Sequence, residues 1–378
     1  MAEPFKTFLN RALIERMAAH LQRAAPGFDA TAFRRRAARG LDALEMKARA
    51  MQIADALEAT LPGDFAAAAE VIEAALAPPW PDDRLGSDEP LRDGLEGWAL
   101  WPVGEFVARR GIDHAKRALA CLHAITQRFS AEFAIRPFIV AHPALTLATL
   151  QRWTTDPSAH VRRLCSEGSR PRLPWGLQLK ALIDDPSPAL PILAALQDDT
   201  SEYVRRSVAN HLNDIAKDHP ALLAEWVERH LPGASPARAA LLRHACRTRI
   251  KQGDARILRA FGLGGAWRGE AELTVDPAAV TVGDTLQVTL RLASSARRAQ
   301  RLAIDYAVHH VKANGGRTPK VFKGWEIDLK AGEHRTLSRR HSMRPVTTRR
   351  YHAGRHAIDV RINGRVVAHA EFELTLDD

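Results

Sequence analysis

The sequence predicts a multidomain protein that is all-α in its first part and all-β in its second. We expect a HEAT-like α-helical solenoid followed by an immunoglobulin-like β-sandwich. One helical signature occurs twice, as Val161-Arg-Arg163 and Val204-Arg-Arg206, 43 residues apart. The hydrophobic period changes from helical to alternating after residue 267. At 378 residues the chain is also too long for one ordinary core.

The repeated signature lies in the second helix of a two-helix unit. Pro143 and Pro186 recur at the same offset of 43 residues, as do Asp156 and Asp199. A repeat in the low forties with two helices per unit is typical of HEAT-like solenoids. Stacked units of this kind form one concave face from equivalent helices. We therefore expect a solenoid domain over residues 1–262, with a groove along that face.

The second domain is predicted from the residues that follow the glycine-rich linker at 261–267. Apolar and polar residues alternate there, as in Thr285–Leu292. The pair Asn363-Gly364 separates two alternating runs and predicts a hairpin. About seven short strands in about 110 residues are typical of an immunoglobulin-like sandwich. This domain is expected over residues 268–378.

The composition excludes several classes of protein. Hydrophobic residues make up 46% and charged residues 26% of the chain, which is typical of a globular protein. The sequence has no apolar run long enough for a membrane span and no visible secretory signal, so a cytoplasmic protein is expected. Its three cysteines have no zinc-binding or Cys-x-x-Cys spacing, which favours reduced core thiols: Cys121, Cys165 and Cys246.

The charge favours a polyanionic partner. The formal net charge is +10, and residues 268–378 are the more densely basic part, with 19 Lys and Arg against 13 Asp and Glu. Arg335–Arg355 contains seven arginines and no acid. We expect a DNA clamp there; the alternative is an edge strand protected by its charge. The clamp residues are Arg339, Arg340, Arg349 and Arg350.

A stripe of charged residues is predicted on the groove face. Arg163 and Glu167 are four residues apart, as are Arg206, Asn210 and Asp214. Such spacing places side chains on one helix face. A surface that binds only phosphate would avoid carboxylates, whereas this mixture suits a site where positive charge develops beside an anionic backbone. Ordinary helix ion pairs explain the pattern equally well.

Two neighbouring segments have competing interpretations. Trp175 follows two prolines that hold the chain away from helix, so it is placed either to stack on a sugar or base or to pack under its loop. Glu132 and Arg136 are four residues apart and, taken alone, are best explained as a surface ion pair. Pro137 is expected to limit any helix that reaches Arg136.

Three strings in this region resemble the AlkC branch of the AlkC/AlkD-type bacterial DNA alkylation repair glycosylases. They are Ser130–Phe138, Val161–Trp175 and Tyr203–Asp214, and the resemblance extends over most of residues 5–260. Some members of the family carry a C-terminal immunoglobulin-like domain, as this chain is expected to do.

The resemblance implies hydrolysis of the N-glycosidic bond of cationic N-alkylated bases in duplex DNA. The substrates it implies are 3-methyladenine and 3-methylcytosine, with 1-methyladenine and 7-methylguanine as further candidates. The family is thought to act without flipping the damaged base, unlike most enzymes that modify bases. A monofunctional glycosylase of base excision repair is therefore expected.

The resemblance carries over five residues, each at a matching motif position. Glu132, Glu167, Asp214 and Trp175 form the expected catalytic set, in which carboxylates stabilise an oxocarbenium-like sugar and position water while the indole contacts the sugar. Arg163 is expected to hold a phosphate and keep Glu167 ionised. The further expected DNA-binding residues of this part are Arg206, Asn210, Arg170 and Arg172.

One similarity is left out of the catalytic set. Trp101 with Glu105 is similar to the Trp-x-x-x-Asp pair of the AlkD branch, but the acid differs. The sequence also lacks a phosphate-binding glycine loop and any spacing typical of metal ligands, so neither a cofactor nor a metal is expected.

The competing hypothesis is a non-catalytic HEAT scaffold that binds nucleic acid or protein through its groove. Such a scaffold needs Arg163 and Arg206 but has no need for Glu132 and Asp214. Under the glycosylase hypothesis the partner is double-stranded DNA that contains alkylated bases. The protein is then expected to be a monomer in the cytoplasm, associated with the nucleoid through DNA.

Overall fold

The structure of the protein is a computed structural model that describes residues 5–81, 93–263, 265–346 and 349–376. The chain forms two compact units. One comprises the residues up to His219 together with Ser235–Ala245, and the other comprises Pro220–Ala234 together with the residues from Cys246 onward. The predicted domain boundaries at 262 and 268 stay a prediction.

The described residues contain sixteen α-helices, all of which precede the strands, as the predicted fold class requires. None of them is long and apolar enough to cross a lipid bilayer. The helices are α1 Arg11–Ala24, α2 Ala30–Ala37, α3 Met46–Glu58, α4 Phe65–Ala75, α5 Leu100–Arg110, α6 Ala115–Thr126, α7 Arg136–Ala141, α8 Pro143–Trp153, α9 Ala159–Gly168, α10 Lys180–Asp184, α11 Leu190–Leu196, α12 Glu202–Asp218, α13 Pro220–His230, α14 Pro236–Ala245, α15 Arg247–Lys251 and α16 Ala255–Ala260.

The two copies of the repeat, α8–α9 and α11–α12, use the same turn before the second helix. Asp156 Oδ1 accepts a hydrogen bond of 2.9 Å from the Ser158 amide, and Asp199 Oδ1 accepts one of 2.8 Å from the Ser201 amide. These bonds fix the entry to each helix. The recurrence of aspartate 43 residues apart therefore reflects a structural need.

The first arginine of each signature also belongs to this turn. Arg162 Nη1 donates to the Asp156 and Pro157 carbonyls, both at 2.8 Å. Arg205 Nη1 donates to the Asp199 and Thr200 carbonyls at 2.5 and 2.9 Å. Since successive residues point about 100° apart around a helix, the second arginine of each pair faces a different surface.

The apolar side of these helices forms the core of the first unit. Seven apolar residues of α9 and α12 are at most 1% exposed: Val161, Leu164, Cys165, Val204, Val208, Leu212 and Ile215. Helix α9 packs against α12, and α12 packs against α14. The prediction of stacked repeats with a shared buried side is confirmed.

The expectation for Pro137 was wrong. Instead of limiting a helix that reaches Arg136, the proline lies in the first turn of α7, which begins at Arg136. A proline is accepted there because the first amide groups of a helix have no partner within it. The short turn of residues 131–135 before this helix carries Glu132.

The second part of the chain is an immunoglobulin-like sandwich of two sheets with strand orders β1-β3-β6 and β2-β8-β7-β4-β5. The strands are β1 Gly269–Asp276, β2 Ala279–Thr281, β3 Thr285–Ser294, β4 Gln300–Val311, β5 Arg317–Leu329, β6 His334–Ser342, β7 Gly354–Ile362 and β8 Arg365–Thr375. Alternating residues of both sheets enter one core, among them Leu290, Ile304 and Val360. Eight strands are described, one more than the sequence suggested.

The hairpin predicted at Asn363-Gly364 joins β7 and β8. Both residues adopt positive φ angles, 49° and 80°, which is the geometry of a tight two-residue turn. The three cysteines are free and buried, as expected for core thiols. Residues 261–267 contain neither helix nor strand where the structure describes them, with Gly264 outside the described residues.

Candidate active site

A network of three carboxylates and two guanidinium groups lies in the first unit. It is formed by the turn before α7, by α9, by the loop that follows α9 and by α12. The members are Glu132, Arg163, Glu167, Arg170 and Asp214. All three carboxylates of the expected catalytic set are therefore brought together, and the chain is folded so that an arginine separates each carboxylate from the next.

Glu132 is the most accessible of the three acids. Its Oε2 atom accepts hydrogen bonds from Ser130 Oγ at 2.7 Å and from Arg163 Nη1 at 2.8 Å. Its Oε1 atom accepts no hydrogen bond from the residues that the structure describes. The side chain is 16% exposed, against 6% for Glu167 and 3% for Asp214. One oxygen of Glu132 is thus available to a small molecule such as water.

Arg163 connects Glu132 to Glu167. Its Nη2 atom lies 3.6 Å from Glu167 Oε1, and the guanidinium lies over the ring of Tyr203 at 4.8 Å from the centroid. Burial lowers the pKa of Arg163, but the charges of Glu132 and Glu167 raise it further than burial lowers it. The group is therefore a fixed cation, and its described contacts are with two carboxylates, the Ser130 hydroxyl and an aromatic ring.

Glu167 is held by residues of both repeats. It accepts hydrogen bonds of 2.6 Å from Arg170 Nη1 and from Ser207 Oγ on α12. Burial alone raises the pKa of Glu167, yet Arg163, Arg170 and the hydroxyl of Ser207 outweigh it, and the net shift is downward. The carboxylate is therefore ionised at neutral pH although it is buried.

Asp214 ends the network on α12. Its Oδ2 atom lies 2.8 Å from both Nε and Nη2 of Arg170, and its Oδ1 atom accepts a bond of 2.8 Å from Lys217 Nζ. Burial lowers the pKa of Arg170, but Glu167 and Asp214 raise it, and the net shift is upward. Arg170 was expected to bind DNA. In the structure it lies between Glu167 and Asp214 and donates hydrogen bonds to both.

A buried ionic network of this kind contributes little to the stability of the fold. Taking charges out of water is costly, and buried ion pairs are often replaceable by apolar residues with a gain of about 1–4 kcal/mol. Five interleaved charges, one of them a solvent-accessible carboxylate, are therefore better explained by function than by folding. The ordinary helix ion pairs Arg163–Glu167 and Asp214–Lys217 do exist, but as parts of a larger cluster.

Trp175 lies on the loop that carries Arg170. It is 69% exposed, so it is not packed under the loop. Its φ angle is 64°, in the left-handed region that bulky residues rarely adopt. A backbone state of this kind costs about 1–3 kcal/mol and persists only where the surroundings impose it.

The expected surface ion pair between Glu132 and Arg136 was wrong. Arg136 is fully buried and donates to four carbonyls of the Trp175 loop and the end of α9, those of Gly168, Arg170, Pro171 and Leu177. Burial lowers the pKa of Arg136 to about 10, so it remains charged at neutral pH. No sequence pattern distinguishes such an arginine from a surface one.

Three further partners of the network were missed. Ser130, Ser207 and Tyr203 hold Glu132, Glu167 and Arg163, as described above. Tyr203 has a signal in the sequence, because it stands 43 residues after His160. In the structure these two rings make an edge contact, with their centroids 5.8 Å apart. The serines have no such signal.

Three residues expected to bind DNA lie outside the network. The Arg206 side chain is 66% exposed and pairs with Glu202 at 3.0 Å. Asn210 Oδ1 accepts a hydrogen bond of 3.2 Å from His244 Nε2. Arg172 forms a two-bond pair with Asp218 at 2.8 and 2.9 Å. The stripe on α12 therefore divides, with only Asp214 reaching the network.

The arginines of the expected clamp lie in the second unit. Arg340 and Arg350 are exposed. Arg339 donates to the Lys323 carbonyl and lies 5.6 Å from the Trp325 ring, while Arg349 Nη1 lies 2.6 Å from His310 Nε2. Strand β6, which carries Arg339 and Arg340, is an edge strand. Both the clamp and the protected edge remain open predictions.

The pair left out of the catalytic set has other contacts. Trp101 lies in an aromatic group with Trp98 and Phe133, at centroid distances of 6.2 and 5.6 Å. Glu105 Oε1 accepts a hydrogen bond of 3.1 Å from Arg109 Nε. Neither residue has a described contact with the network.

Comparisons with known proteins identify both parts of the chain. Residues 127–248 match the family described as DNA alkylation repair enzyme. Residues 270–376 match the family described as the C-terminal immunoglobulin-like domain of the uncharacterised protein YhaZ. The first match contains the whole network, and the second contains nearly all of the sandwich.

Two proteins resemble most of the chain. The uncharacterized protein YhaZ of Bacillus subtilis is 40% identical over 291 residues, which are 77% of this chain and 80% of that protein. The solved structure of the Pseudomonas fluorescens alkylpurine DNA glycosylase AlkC, bound to DNA that contains an abasic-site analog, is 37% identical with a TM-score of 0.89. That alignment covers 99% of this chain and 100% of the solved one. The chain therefore belongs to the AlkC-type DNA alkylation repair glycosylases that carry a C-terminal immunoglobulin-like domain.

Proposed function

We propose that the protein is a monofunctional DNA glycosylase that releases cationic N-alkylated bases from duplex DNA. The observation that carries this proposal is the network of three carboxylates, together with an exposed tryptophan on the loop that supplies Arg170 to it. The family supports the same conclusion, since its solved member is an alkylpurine DNA glycosylase bound to DNA with an abasic-site analog.

The chemistry of an alkylated base explains why acids are needed. A base that carries an additional alkyl group on a ring nitrogen is already positively charged, so it leaves as a neutral molecule and needs no general acid. The sugar left behind develops positive charge in the transition state. Negative groups fixed nearby stabilise that charge without having to reorganise. Glu167 and Asp214, both buried, would supply this field.

Glu132 would position the water that attacks the sugar. It is the most exposed acid of the network, and one of its oxygens accepts no hydrogen bond from the described residues. Ser130 and Arg163 fix the other oxygen, which orients the carboxylate. A water held by an ionised carboxylate can give up a proton to it as the bond to the sugar forms.

Trp175 would press its ring against the deoxyribose. An aromatic face attracts positive charge, and the interaction strengthens as charge develops on the sugar. Arg206, Asn210, Arg172, Arg340 and Arg350 would contact the DNA backbone, which requires no base-specific geometry. Arg206, Asn210 and Arg172 pair with Glu202, His244 and Asp218, so a phosphate would have to share them. The same holds for Arg163, Arg170, Arg339 and Arg349, which also have protein partners.

The proposed substrates are 3-methyladenine and 3-methylcytosine, with 1-methyladenine and 7-methylguanine as further candidates. Methylation gives each of these four bases a positive charge, which is the property that the network requires. We also propose that the damaged base is not flipped into a protein pocket. Duplex DNA with a single lesion would be the partner of one protein molecule, in the cytoplasm.

The test is base release from methylated duplex DNA by the wild type and by Glu132→Gln and Asp214→Asn. We expect both variants to bind DNA and to lose activity on the order of 10²-fold or more. Glu105→Gln is the matched control and should keep its activity. A monofunctional enzyme leaves an intact abasic site, so strands should break only after alkali. A wild type that binds DNA and releases no base would favour the non-catalytic scaffold.

A further inference from the structure

The loop between α9 and α10 exposes a second large apolar side chain besides Trp175. Leu177 is 54% exposed, two residues from the tryptophan, which is 69% exposed. Only four large apolar side chains are at least that accessible among the residues the structure describes, and two of them belong to this short loop. An apolar pair that faces water on the loop that carries Arg170 favours an interaction surface.

The loop that presents these two side chains is tied down at several points. Leu173 and Leu179 are buried, and they bracket Trp175 and Leu177 in the sequence. The Gly176 amide donates to the Leu173 carbonyl and the Leu179 amide to the Pro171 carbonyl, both at 3.1 Å. The loop therefore has buried side chains at its two ends, exposed side chains between them, and a backbone held by its own hydrogen bonds.

Arg136 lies beneath this loop. Its guanidinium donates to the carbonyls of Gly168 and Arg170 at 2.8 Å, of Leu177 at 2.5 Å and of Pro171 at 3.4 Å. These four carbonyls come from both sides of Trp175. A planar group with five N–H donors can bind them together, whereas a lysine ammonium has three donors on one atom and cannot reach all of them.

The backbone beside Trp175 also rests directly on this arginine. A Cβ atom at Gly176 would lie 3.3 Å from Arg136 Nε and 3.1 Å from Leu173 Cδ2, closer than most such contacts. Glycine therefore permits the close approach of loop and guanidinium. Trp175, whose φ angle is left-handed, lies in the chain between Gly176 and the carbonyls of Arg170 and Pro171 that Arg136 binds.

We propose that Arg136 is the positioning residue of the Trp175 loop and that Leu177 is a second apolar contact with duplex DNA at the lesion. The inference rests on the proposed glycosylase function and adds two residues to it. A rigid loop presents both side chains without an ordering step at binding, which favours association and correct placement. The partner surface would be the sugar and base edges of one groove, the apolar part of a duplex that is otherwise anionic.

Leu177→Ser tests the contact, with Val140→Ser as its matched control because Val140 is 60% exposed in the same unit. We expect Leu177→Ser to weaken binding to lesion-containing duplex by about 10-fold, from the apolar area no longer buried. Val140→Ser should bind as the wild type does. Equal affinities for the two variants would overturn the role of Leu177. Because affinity for DNA is measured directly, this comparison tests the role of Leu177 even if the wild type releases no base. Failure to release a base would contradict only the proposed glycosylase function.

Arg136→Lys tests the positioning role in a double-mutant cycle with Trp175→Ala. We expect Arg136→Lys to lower the rate at saturating DNA on the order of 10²-fold, since small displacements of a reacting group have effects of this size. The same change should have an effect of about 2-fold or less when Trp175 is already alanine, because the arginine would act through the indole. An effect of equal size in both backgrounds would show a merely structural role and overturn the proposal.

Gly176→Ala provides a second route if Arg136→Lys does not fold. It leaves the buried charge in place and adds a Cβ atom 3.3 Å from Arg136 Nε and 3.1 Å from Leu173 Cδ2, which shifts the loop against the guanidinium. We expect a lower rate, a change in the quenching of Trp175 fluorescence by iodide, and the same loss of effect in the Trp175→Ala background. An unchanged rate with an altered quenching would contradict the link between loop position and catalysis.

Discussion

The two copies of the Val-Arg-Arg signature have the same local structure and different surroundings. In both, the first arginine closes the turn before its helix. The second arginine of α9, Arg163, is shared between Glu132 and Glu167, whereas Arg206 of α12 is exposed beside Glu202. The two copies thus share the contacts that build the turn, and they differ at the arginine that joins the network in α9.

The largest difference is expected between Glu167 and its counterpart Asn210. Glu167→Gln keeps the shape of the side chain and removes its charge, so we expect a loss in single-turnover rate on the order of 10²–10³-fold. Asn210→Ala should raise KM and leave the rate at saturation within about 2-fold, because a contact with DNA acts equally in ground and transition states. Similar losses in rate for both would contradict the assignment of a catalytic role to Glu167 and of a DNA contact to Asn210.

Arg163 and Arg206 make the next comparison. Arg163→Gln removes the cation between two carboxylates, so we expect a rate about 10-fold or more below the wild type through misplacement of Glu132 and Glu167. Arg206→Gln should leave the rate unchanged and reduce the slope of log K against log salt by about 0.9 for each phosphate that the side chain no longer neutralises. Titrations of DNA at several salt concentrations measure that slope. A rate loss in Arg206→Gln would place it in the catalytic group.

The third prediction concerns the pH at which Glu167 loses its charge. Arg170→Gln removes a cation that lowers the pKa of Glu167, so that pKa should rise and the acid limb of the rate profile should move to higher pH. The free energy of unfolding should depend on pH in the same direction. A carboxyl whose pKa is lower in the folded state stabilises the fold at neutral pH, and this contribution is lost as pH falls through the folded pKa.

Arg172→Gln is the control on the same loop. Arg172 pairs with Asp218, outside the network, so its loss should not move the acid limb. Rate profiles between acidic and neutral pH, with the melting temperature measured at each pH, test both variants. Identical profiles for Arg170→Gln and the wild type would remove Glu167 from the catalytic set.

The smallest effect is expected where the repeats are alike. Arg162→Ala and Arg205→Ala should each lower the free energy of unfolding by about 1–2 kcal/mol, because each removes hydrogen bonds to two carbonyls of the preceding turn. Arg162 should have the larger effect, since it also pairs with Asp199 at 2.7 Å. Denaturant unfolding measures both; a loss of activity without a loss of stability would contradict their structural role.

The architecture was predictable because it depends on periodic patterns. The offset of 43 residues located two equivalent helices, and alternation with Asn363-Gly364 located the sandwich and one of its hairpins. Both patterns report which side of an element is buried, and burial decides the fold class. The spacing of Arg163 and Glu167 on α9 was informative for the same reason.

The candidate site was less predictable because its groups meet through long-range contacts. The spacing of four residues suggested that Glu132 pairs with Arg136. Instead, Glu132 binds Arg163, 31 residues away, and Arg136 donates to carbonyls of Gly168 and of the loop after it. A spacing of four residues describes neighbours within a helix, and residues 131–135 form a turn instead. Arg170 illustrates the same limit, because an arginine on a loop gives no sign of whether it faces solvent or two carboxylates.

The backbone at Trp175 has a consequence for attempts to make this protein more heat-tolerant. A chain chosen for thermal stability alone would place glycine at a position with a φ angle of 64°, since glycine adopts it without penalty. Selection by melting temperature would therefore favour removal of the indole. The protein most resistant to heat would then be a poor repair enzyme, a trade-off located at a single residue.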